Sequence, residues 1–560
     1  MSIIRANTPA PFHAPQHNID HLSPPIKQDL PRTSFAGDIA TQLTRENYRI
    51  KDRNGDGQIT VGYKFFNSSD PQESWLKHSG ALAFSEARKK AFRSSLKAWE
   101  DVIKVKFTEN AKDADAMVVV HGNNGVGGYA NLPTDYGGTM NIAIGLGDKN
   151  SPLNASMVHE IGHSLGLRHP TGKHPENNKT HTAMSYNTHF WRPRDENGVS
   201  VSDSTSTPMM RDIAAGQSLY GSNNKTRTGD TTYGFNSNSK RDYYSLTSSD
   251  ELAAFCVWDN GGNDTLDFSG FQQDQKINLN AEQLSNVGGR EGNVSIAKGV
   301  VVENAIGGSG HDLIIGNAFR NRITGGAGGD KLYGGGGADT FVYDRVSDSS
   351  AKRPDILLDF ASGVDKLDIS GILKTAGISK LNITVAPPGQ GGTMANQKGE
   401  LMLDYDQKVN LHRLVLNVGD GANAVLMILS KTPLKPDDIL TGAHSQSPIT
   451  PRTPKPGLTP YKTFNYDAVS DSGYRNSHLL KNFTTGKDKI DVSNMSNKTH
   501  VTFNHVAAYT GRVGDTVLAL NPATHRYYIG IDMTGDRRTD FLVRSTKPIR
   551  SEDIIGVNFQ

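Results

Sequence analysis

His159-Glu160-Ile161-Gly162-His163-Ser164-Leu165-Gly166-Leu167-Arg168-His169-Pro170 is the stretch on which the fold of this 560-residue chain turns. Its pattern is H-E-x-x-H-x-x-G-x-x-H-P. On a helix, His159 and His163 leave one face, one turn apart. Two imidazole nitrogens so placed begin a zinc site. Glu160 sits beside the first ligand, where its carboxylate can hold and deprotonate a zinc-activated water. Gly166 lets the helix end in a left-handed turn. The chain can then swing back and present His169 as the third ligand. Two solvent-facing histidines on an amphipathic helix would account for His159 and His163, but not for Gly166, His169 and Pro170 as well.

The extended run is the metzincin signature, which predicts a methionine turn downstream. Fifteen residues after His169 stands Met184, within Thr182-Ala183-Met184-Ser185-Tyr186-Asn187. A methionine there can form an apolar floor under the metal. The Met184-Ser185-Tyr186 form resembles the serralysins, secreted bacterial zinc metalloproteases. The resemblance implies that Tyr186 is a further zinc ligand, which leaves the metal when substrate binds and then hydrogen-bonds the developing oxyanion. Two departures bear on the rim of the substrate cleft. The segment Thr171 to Ala183 is shorter than is typical of the family, and Asn187 stands where the family usually has tryptophan.

The length allows several domains and large cores. A formal net charge of +2 points to no nucleic-acid partner. No apolar run approaches the roughly 20 residues of a membrane helix, so no membrane span is expected. The single cysteine, Cys256, excludes an intramolecular disulfide and reads as a small buried hydrophobe. The first residues, Met1-Ser2-Ile3-Ile4-Arg5-Ala6, carry no apolar core of the Sec signal type.

Residues 1–40, rich in proline, histidine and polar residues, read as a flexible segment. The family resemblance implies a propeptide there. Asp52-Arg53-Asn54-Gly55-Asp56-Gly57 mimics the start of an EF-hand loop, but Tyr63 occupies the twelfth position, so a turn before a strand is expected. Val61–Phe66, Ala116–Val120 and Met140–Ile144 read as strands. Ser85–Ile103, with Ser85 as N-cap, Asn154–Leu167 and Pro208–Leu219 read as helices. Pro208 suits a first-turn position.

From Gly307 the chain repeats every nine residues: Gly307-Gly308-Ser309-Gly310-His311-Asp312-Leu313-Ile314-Ile315, a degenerate unit from Gly316, then units from Gly325 and Gly334. This is the G-G-x-G-x-D-x-U-x pattern of calcium-binding parallel β-rolls. Gly308, Gly310, Gly326, Gly328, Gly335 and Gly337 permit tight turns with inward carbonyls, and Asp312, Asp330 and Asp339 add hard carboxylate oxygens. Ile314, Ile323, Leu332 and Phe341 stack into a thin core. Upstream, Trp258 to Gly270 resembles the first calcium sites of the serralysin roll. That resemblance places Arg227, Gly229, Thr231, Asp259, Gly261, Gly262, Asp264 and Glu303 around those sites, with Arg227 and the glycines offering carbonyls.

Thr340-Phe341-Val342-Tyr343-Asp344 recurs as Thr463-Phe464-Asn465-Tyr466-Asp467, and Phe360 to Ser370 recurs as Phe483 to Ser493, both at an offset of 123 residues. The C-terminal module is therefore duplicated. The second copy could carry an uncleaved secretion signal, act as an adhesive module, or cap the roll.

The expected architecture is an α+β metzincin catalytic domain, an all-β parallel β-roll, and a duplicated C-terminal β module. The expected division is a pro-segment at 1–40, a catalytic domain at 41–222 and a roll at 223–343 with its repeats at 307–342. A first module at 344–442, a Pro-rich linker at 443–460 and a second module at 461–560 follow. The expected function is a secreted, calcium-stabilised zinc endopeptidase, with Glu160 as general base and protein or peptide substrates. The alternative is a calcium-dependent extracellular binding or adhesion protein with a vestigial protease domain. The family resemblance further implies a type I ABC exporter and a periplasmic inhibitor protein as partners, and an extracellular monomer without a Sec signal.

Overall fold

The consecutive buried residues Val61–Tyr63 and Val118–Gly122 need cover on both faces, as inner strands of a five-stranded sheet have. The computed structural model describes residues 39–558, except 126, 135–138, 147–154, 188–204, 387–396, 408, 420–424 and 443–462, and a few positions within 467–552. The expected pro-segment, all but its last two residues, and the Pro-rich linker lie outside the described residues.

The strands are β1 (Ile59–Phe65), β2 (Val105–Glu109), β3 (Ala116–Asn123), β4 (Gly128–Ala130) and β5 (Thr139–Gly145). Their order is β2-β1-β3-β5-β4. All pairs are parallel except β4 with β5, so an antiparallel strand forms one edge. Asp52 receives the N–H groups of Gly55 and Gly57, and Asp115 receives those of Arg53 and Thr60, closing the expected turn before β1.

Helix α1 (Glu86–Glu100) starts at Ser85, whose hydroxyl accepts the Arg88 N–H at 3.4 Å. It buries Phe92, Leu96 and Trp99 against the sheet. Helix α2 (Ala155–Ser164) carries the first two histidines, and helix α3 (Met210–Tyr220) packs beneath. The sequence placed Pro208 in the first turn of α3. The N-cap is instead Met209, because its N–H is held by Asp212 Oδ2 at 2.8 Å. Trp99 reaches α2 directly, donating its indole N–H to the Val158 carbonyl at 3.1 Å.

The nine-residue repeats alternate between two parallel sheets. Leu313–Ile315 and Lys331–Tyr333 pair in one, Arg322–Thr324 and Thr340–Val342 in the other. One coil is therefore eighteen residues. Ile314, Ile323, Leu332 and Phe341 have no exposed surface and form the thin core between the sheets. The glycines answer a steric demand. A Cβ on Gly326 would lie 2.1 Å from the Gly308 carbonyl oxygen, and one on Gly328 would lie 2.0 Å from that of Gly310. Asp101, at the C-terminus of α1, ties the catalytic part to the roll entry. It accepts bonds from Arg227 (2.6 Å), Arg241 (2.8 Å) and Tyr243 (2.7 Å).

The chain forms two compact units, residues 1–451 and 452–560. The second has its own core, including Tyr466, Leu480, Ile490, Phe503, Phe541 and Val543. Its helix Ser493–Thr499 repeats Ser370–Ala376 at the same 123-residue offset. Cys256 is buried and unbridged. Among the described residues no helix is long and apolar enough to cross a membrane.

Candidate metal centre

Helix α2 ends where Gly166 takes φ +98°, a conformation that side chains resist, and a Cβ there would lie 2.0 Å from the Tyr48 carbonyl oxygen. Leu167 N–H returns to the Gly162 carbonyl at 3.0 Å, and Arg168 N–H binds the Leu43 carbonyl at 2.9 Å. Arg45 donates to the His169 carbonyl at 2.9 Å. These bonds turn the chain back so that His169 faces the helix.

The three imidazoles converge. His159 Nε2 and His163 Nε2 lie 3.0 Å and 2.9 Å from His169 Nε2. Nδ1 of His159 donates to the Ala183 carbonyl at 2.8 Å, and Nδ1 of His163 to the Leu167 carbonyl at 2.7 Å. With the proton fixed on Nδ1, both Nε2 atoms present lone pairs to one point. Lone pairs so directed repel unless a cation lies between them. Zinc with bonds of about 2.0–2.1 Å would set its nitrogens about 3.3 Å apart, a few tenths wider than observed. The donor set therefore fits the metal.

Burial sets the protonation of the site. It lowers His159 to about 4 and His169 to about 3, and holds His163 well below the ordinary histidine value. All three stay neutral at physiological pH, as metal ligands must be. Burial raises Glu160 to about 8, and its Oε2 has no protein partner. The β4 edge lies close by: a Cβ on Gly128 would lie 2.7 Å from Glu160 Oε1. Glu160 thus stands between the histidines and the antiparallel edge.

The floor is Met184, fully buried below Gly162, where a Cβ would meet its sulfur at 2.6 Å. The Tyr186 ring stands 4.3 Å from that of His169 and 5.6 Å from that of His159, and the residue is 58% exposed. It borders the cluster from the solvent side. Asn187 closes the loop before it, donating to the Asn177 carbonyl at 2.8 Å and accepting the Lys179 N–H at 3.0 Å.

Asp212 was not singled out by sequence. Fully buried, it accepts the Thr182 hydroxyl at 2.5 Å and the Ala183 N–H at 2.6 Å, and so holds the methionine turn. Its only sequence signal is an acid in the first turn of α3.

The second cluster of expected residues also gathers. Thr231 N–H binds Asp264 Oδ1 at 2.8 Å, Gly261 N–H binds Asp259 Oδ1 at 2.7 Å, and Asp264 N–H binds Glu303 Oε2 at 2.8 Å. Asn260 N–H meets the Arg227 carbonyl at 3.1 Å, and Gly229 backs onto Gly262. Burial raises Asp259, burial and the neighbouring Asp259 charge raise Asp264, and burial above all lifts Glu303 to about 7. Asp264 Oδ2 has no protein partner. In the repeats, Asp312 N–H binds Asp330 Oδ1 and Asn321 N–H binds Asp339 Oδ1, both at 2.8 Å. The sequence missed Asp355, which accepts the Asp330 N–H at 2.8 Å and, like Asp330, leaves its Oδ2 unpartnered. Such crowded carboxylates and glycine carbonyls suit a hard divalent cation.

Comparison with known proteins gives the same lineage along most of the chain. The family model described as Astacin, a peptidase family, matches residues 68–187. The one described as Peptidase M10 serralysin C terminal matches twice, at 222–441 and 437–556, so the duplicated module is a second copy of a serralysin domain. Metalloprotease AprA of Pseudomonas entomophila (strain L48) is 41% identical over 435 residues, 70% of this chain and 86% of that protein. Metallopeptidase AprA of Pseudomonas marginalis is 41% identical over 424 residues, 68% of this chain and 89% of that protein. Serralysin C of Dickeya chrysanthemi is 39% identical over 428 residues, 70% of this chain and 87% of that protein. Identity of this extent, with the catalytic and C-terminal models in sequence, means that the chain belongs to the serralysin family of metalloendopeptidases.

Proposed function

We propose that the chain is an extracellular zinc endopeptidase of proteins, with Glu160 as general base and a roll stabilised by calcium. The observation that carries the reading is the convergence of three neutral imidazoles on one point beside a buried, protein-unpartnered carboxylate oxygen. His159, His163 and His169 would hold zinc, with Tyr186 as a further ligand. Zinc, when bound, supplies Lewis-acid polarisation of the scissile carbonyl and of the attacking water. Glu160 takes a proton from that water and passes it to the leaving amine. A carboxylate poised high by burial takes and releases protons near neutrality. The Tyr186 hydroxyl, on the solvent side, hydrogen-bonds the oxygen where negative charge develops.

Substrate binds as an added strand. Among the described residues β4 is a sheet edge running past Glu160, and an extended peptide can pair with such an edge. Backbone pairing reads no particular side chain, which suits broad cleavage of proteins.

Calcium would be held by Arg227, Gly229, Thr231, Asp259, Gly261, Gly262, Asp264 and Glu303, and by the repeat residues Gly308, Gly310, Asp312, Gly326, Gly328, Asp330, Gly335, Gly337 and Asp339. The roll needs calcium to neutralise these carboxylates, so it would fold where calcium is plentiful, outside the cell. Export by a type I machine and control by a periplasmic inhibitor belong to the same reading. So does the division into a catalytic domain at 41–222, a roll at 223–343 and modules at 344–442 and 461–560.

The test is casein hydrolysis by purified full-length protein. Activity should disappear with a zinc chelator and return with stoichiometric zinc. Activity that persists in metal-free protein would refute the reading.

A further inference from the structure

The β4 edge also carries a side chain that the chemistry above does not use. Tyr129 pairs with Ala143 of β5, and Ala143 pairs with His121 of β3. The three residues therefore form one row across the sheet, with side chains on one face. Ala143 is small, so the outer rings meet above it, with centroids 6.1 Å apart and planes at 70°. His121 is 2% exposed and abuts Phe66 at 6.5 Å. Tyr129 is thus backed by a packed stack, yet it is 38% exposed at the end of the row. Gly128, its neighbour, turns to the opposite face, toward Glu160.

A peptide strand added to β4 extends this row by one residue. Directly opposed side chains in an antiparallel pair have Cβ atoms about 4.5–5.5 Å apart. We propose that Tyr129 is a specificity-determining residue, which selects a large apolar or aromatic side chain at the single substrate position opposite it. The inference rests on the strand-addition reading above. It is tested by cleaving a proteome-derived peptide library with the intact enzyme and reading the cut sites by mass spectrometry. Wild type should enrich large apolar residues at one position. Tyr129→Phe should keep that enrichment, and Tyr129→Ala should lower it about 10-fold there alone. Tyr129→Lys should favour acidic residues at the same position. A profile unchanged at every position in Tyr129→Ala, or reduced equally at all, would overturn the proposal. A wild type that cuts no peptide would instead sink the protease reading beneath it.

A second inference comes from comparing the duplicated modules. In the first, Thr340–Val342 pairs with the roll strand Arg322–Thr324, and Asp355–Leu357 with Lys331–Tyr333. Carboxylates lock this seam. Asp355, without exposed surface, takes the Asp330 N–H, and Asp359 takes those of Gly334 and Gly335 at 2.8 Å each. At the positions 123 residues later stand His478 and Asn482, the latter outside the described residues. His478 Nδ1 meets the Tyr466 hydroxyl at 2.7 Å, where the first copy sets Tyr343 beside Asp355. One acid of the seam is kept: Asp365 takes the Asp339 N–H of the roll at 2.9 Å and the Ala361 N–H at 2.8 Å, and its counterpart Asp488 takes the Thr484 N–H at 2.7 Å. Among the described residues, Thr463–Asn465 and His478–Leu480 are edge strands, without a counterpart of the roll strands that their equivalents in the first copy pair with.

The second copy has thus exchanged two carboxylates of the roll seam, Asp355 and Asp359, for a histidine and an amide, which leaves this seam fewer anionic oxygens for calcium. We infer that the strands Thr463–Asn465 and His478–Leu480 of the second module hold without calcium at this seam, whereas those of the first depend on it through the roll. The inference rests on the calcium reading of the roll. Hydrogen–deuterium exchange of the full-length protein, in calcium and in EGTA, tests it. In EGTA, peptides spanning Leu357 and Leu367 should lose protection, and peptides spanning Leu480 and Ile490 should keep it. Asp355→Asn should raise the calcium concentration needed to protect the first set without moving the second. Loss of protection in both copies together would overturn the inference. Retention in both would overturn it too, and would remove the calcium reading of the roll.

Discussion

The Asp212 carboxylate accepts the Ala183 N–H at 2.6 Å, and the carbonyl of that same Ala183 receives the His159 imidazole at 2.8 Å. One buried acid in α3 therefore fixes the peptide that orients His159, the first of the proposed zinc ligands. Partners that orient ligands in this way typically contribute 10- to 100-fold in metal affinity. Asp212→Asn points an amide donor at donors and should weaken zinc binding by about that factor while the protein stays folded. Chelator competition measures it, and unchanged affinity would show that the methionine turn holds His159 unaided.

Tyr186 should act in the reaction more than in holding the metal. Tyr186→Phe should retain zinc, keep KM within about twofold, and lower kcat by about 10²–10³, the scale of one lost oxyanion donor. Steady-state kinetics with zinc analysis by mass spectrometry checks this. A fall in zinc content that matches the fall in kcat would return Tyr186 to a purely structural role.

Gly166→Ala should displace His169. Its Cβ would fall 2.0 Å from the Tyr48 carbonyl oxygen, at φ +98°. The variant should lose most bound zinc and melt several degrees lower, since strain at a special backbone conformation costs about 1–3 kcal/mol. Wild-type zinc content and melting would show that the turn can relax.

The pH dependence of the calcium-free roll has a definite sign. Burial, with neighbouring acids added, lifts Glu303 to about 7 and Asp339 to about 8, and raises Asp264, Asp330 and Asp355. These folded values exceed the unfolded value of about 4, so the folded roll binds more protons. Its stability is fully present below about pH 4 and is lost as pH rises through about 7 and 8. In EGTA, the melting temperature of the roll should therefore fall between pH 5.5 and pH 8.5. With saturating calcium it should not, because the cation replaces the protons. Scanning calorimetry at the two pH values decides it, and a rise with pH in EGTA would contradict the crowding of these acids.

The histidine cluster was legible because its three members lie within eleven residues and helical spacing dictates their faces. The roll was legible because its period is strict. Asp212 was not, since an acid in a first helical turn reads as an ordinary cap, and its partnership with Ala183 spans 29 residues. Asp355 escaped for a related reason. The segment Val346–Asp348 and its surroundings break the repeat, so Asp355 follows Asp330 by 25 residues and not 18. Pro208 falls just before the N-cap and not in the first turn, because the capping bond from the Met209 N–H to Asp212 sets the helix start. The open β4 edge was invisible as well, because strand order is set by pairing and not by any one residue.

In the proposed mechanism Glu160 does the proton transfer while the histidines hold the metal. The most direct measurement is casein hydrolysis by Glu160→Ala beside wild type, at matched zinc and calcium, with bound zinc counted in each. Zinc should remain at one per chain while activity falls by about 10²–10⁴, the range for a lost general base. A zinc-loaded Glu160→Ala that cleaves casein at the wild-type rate would contradict the account.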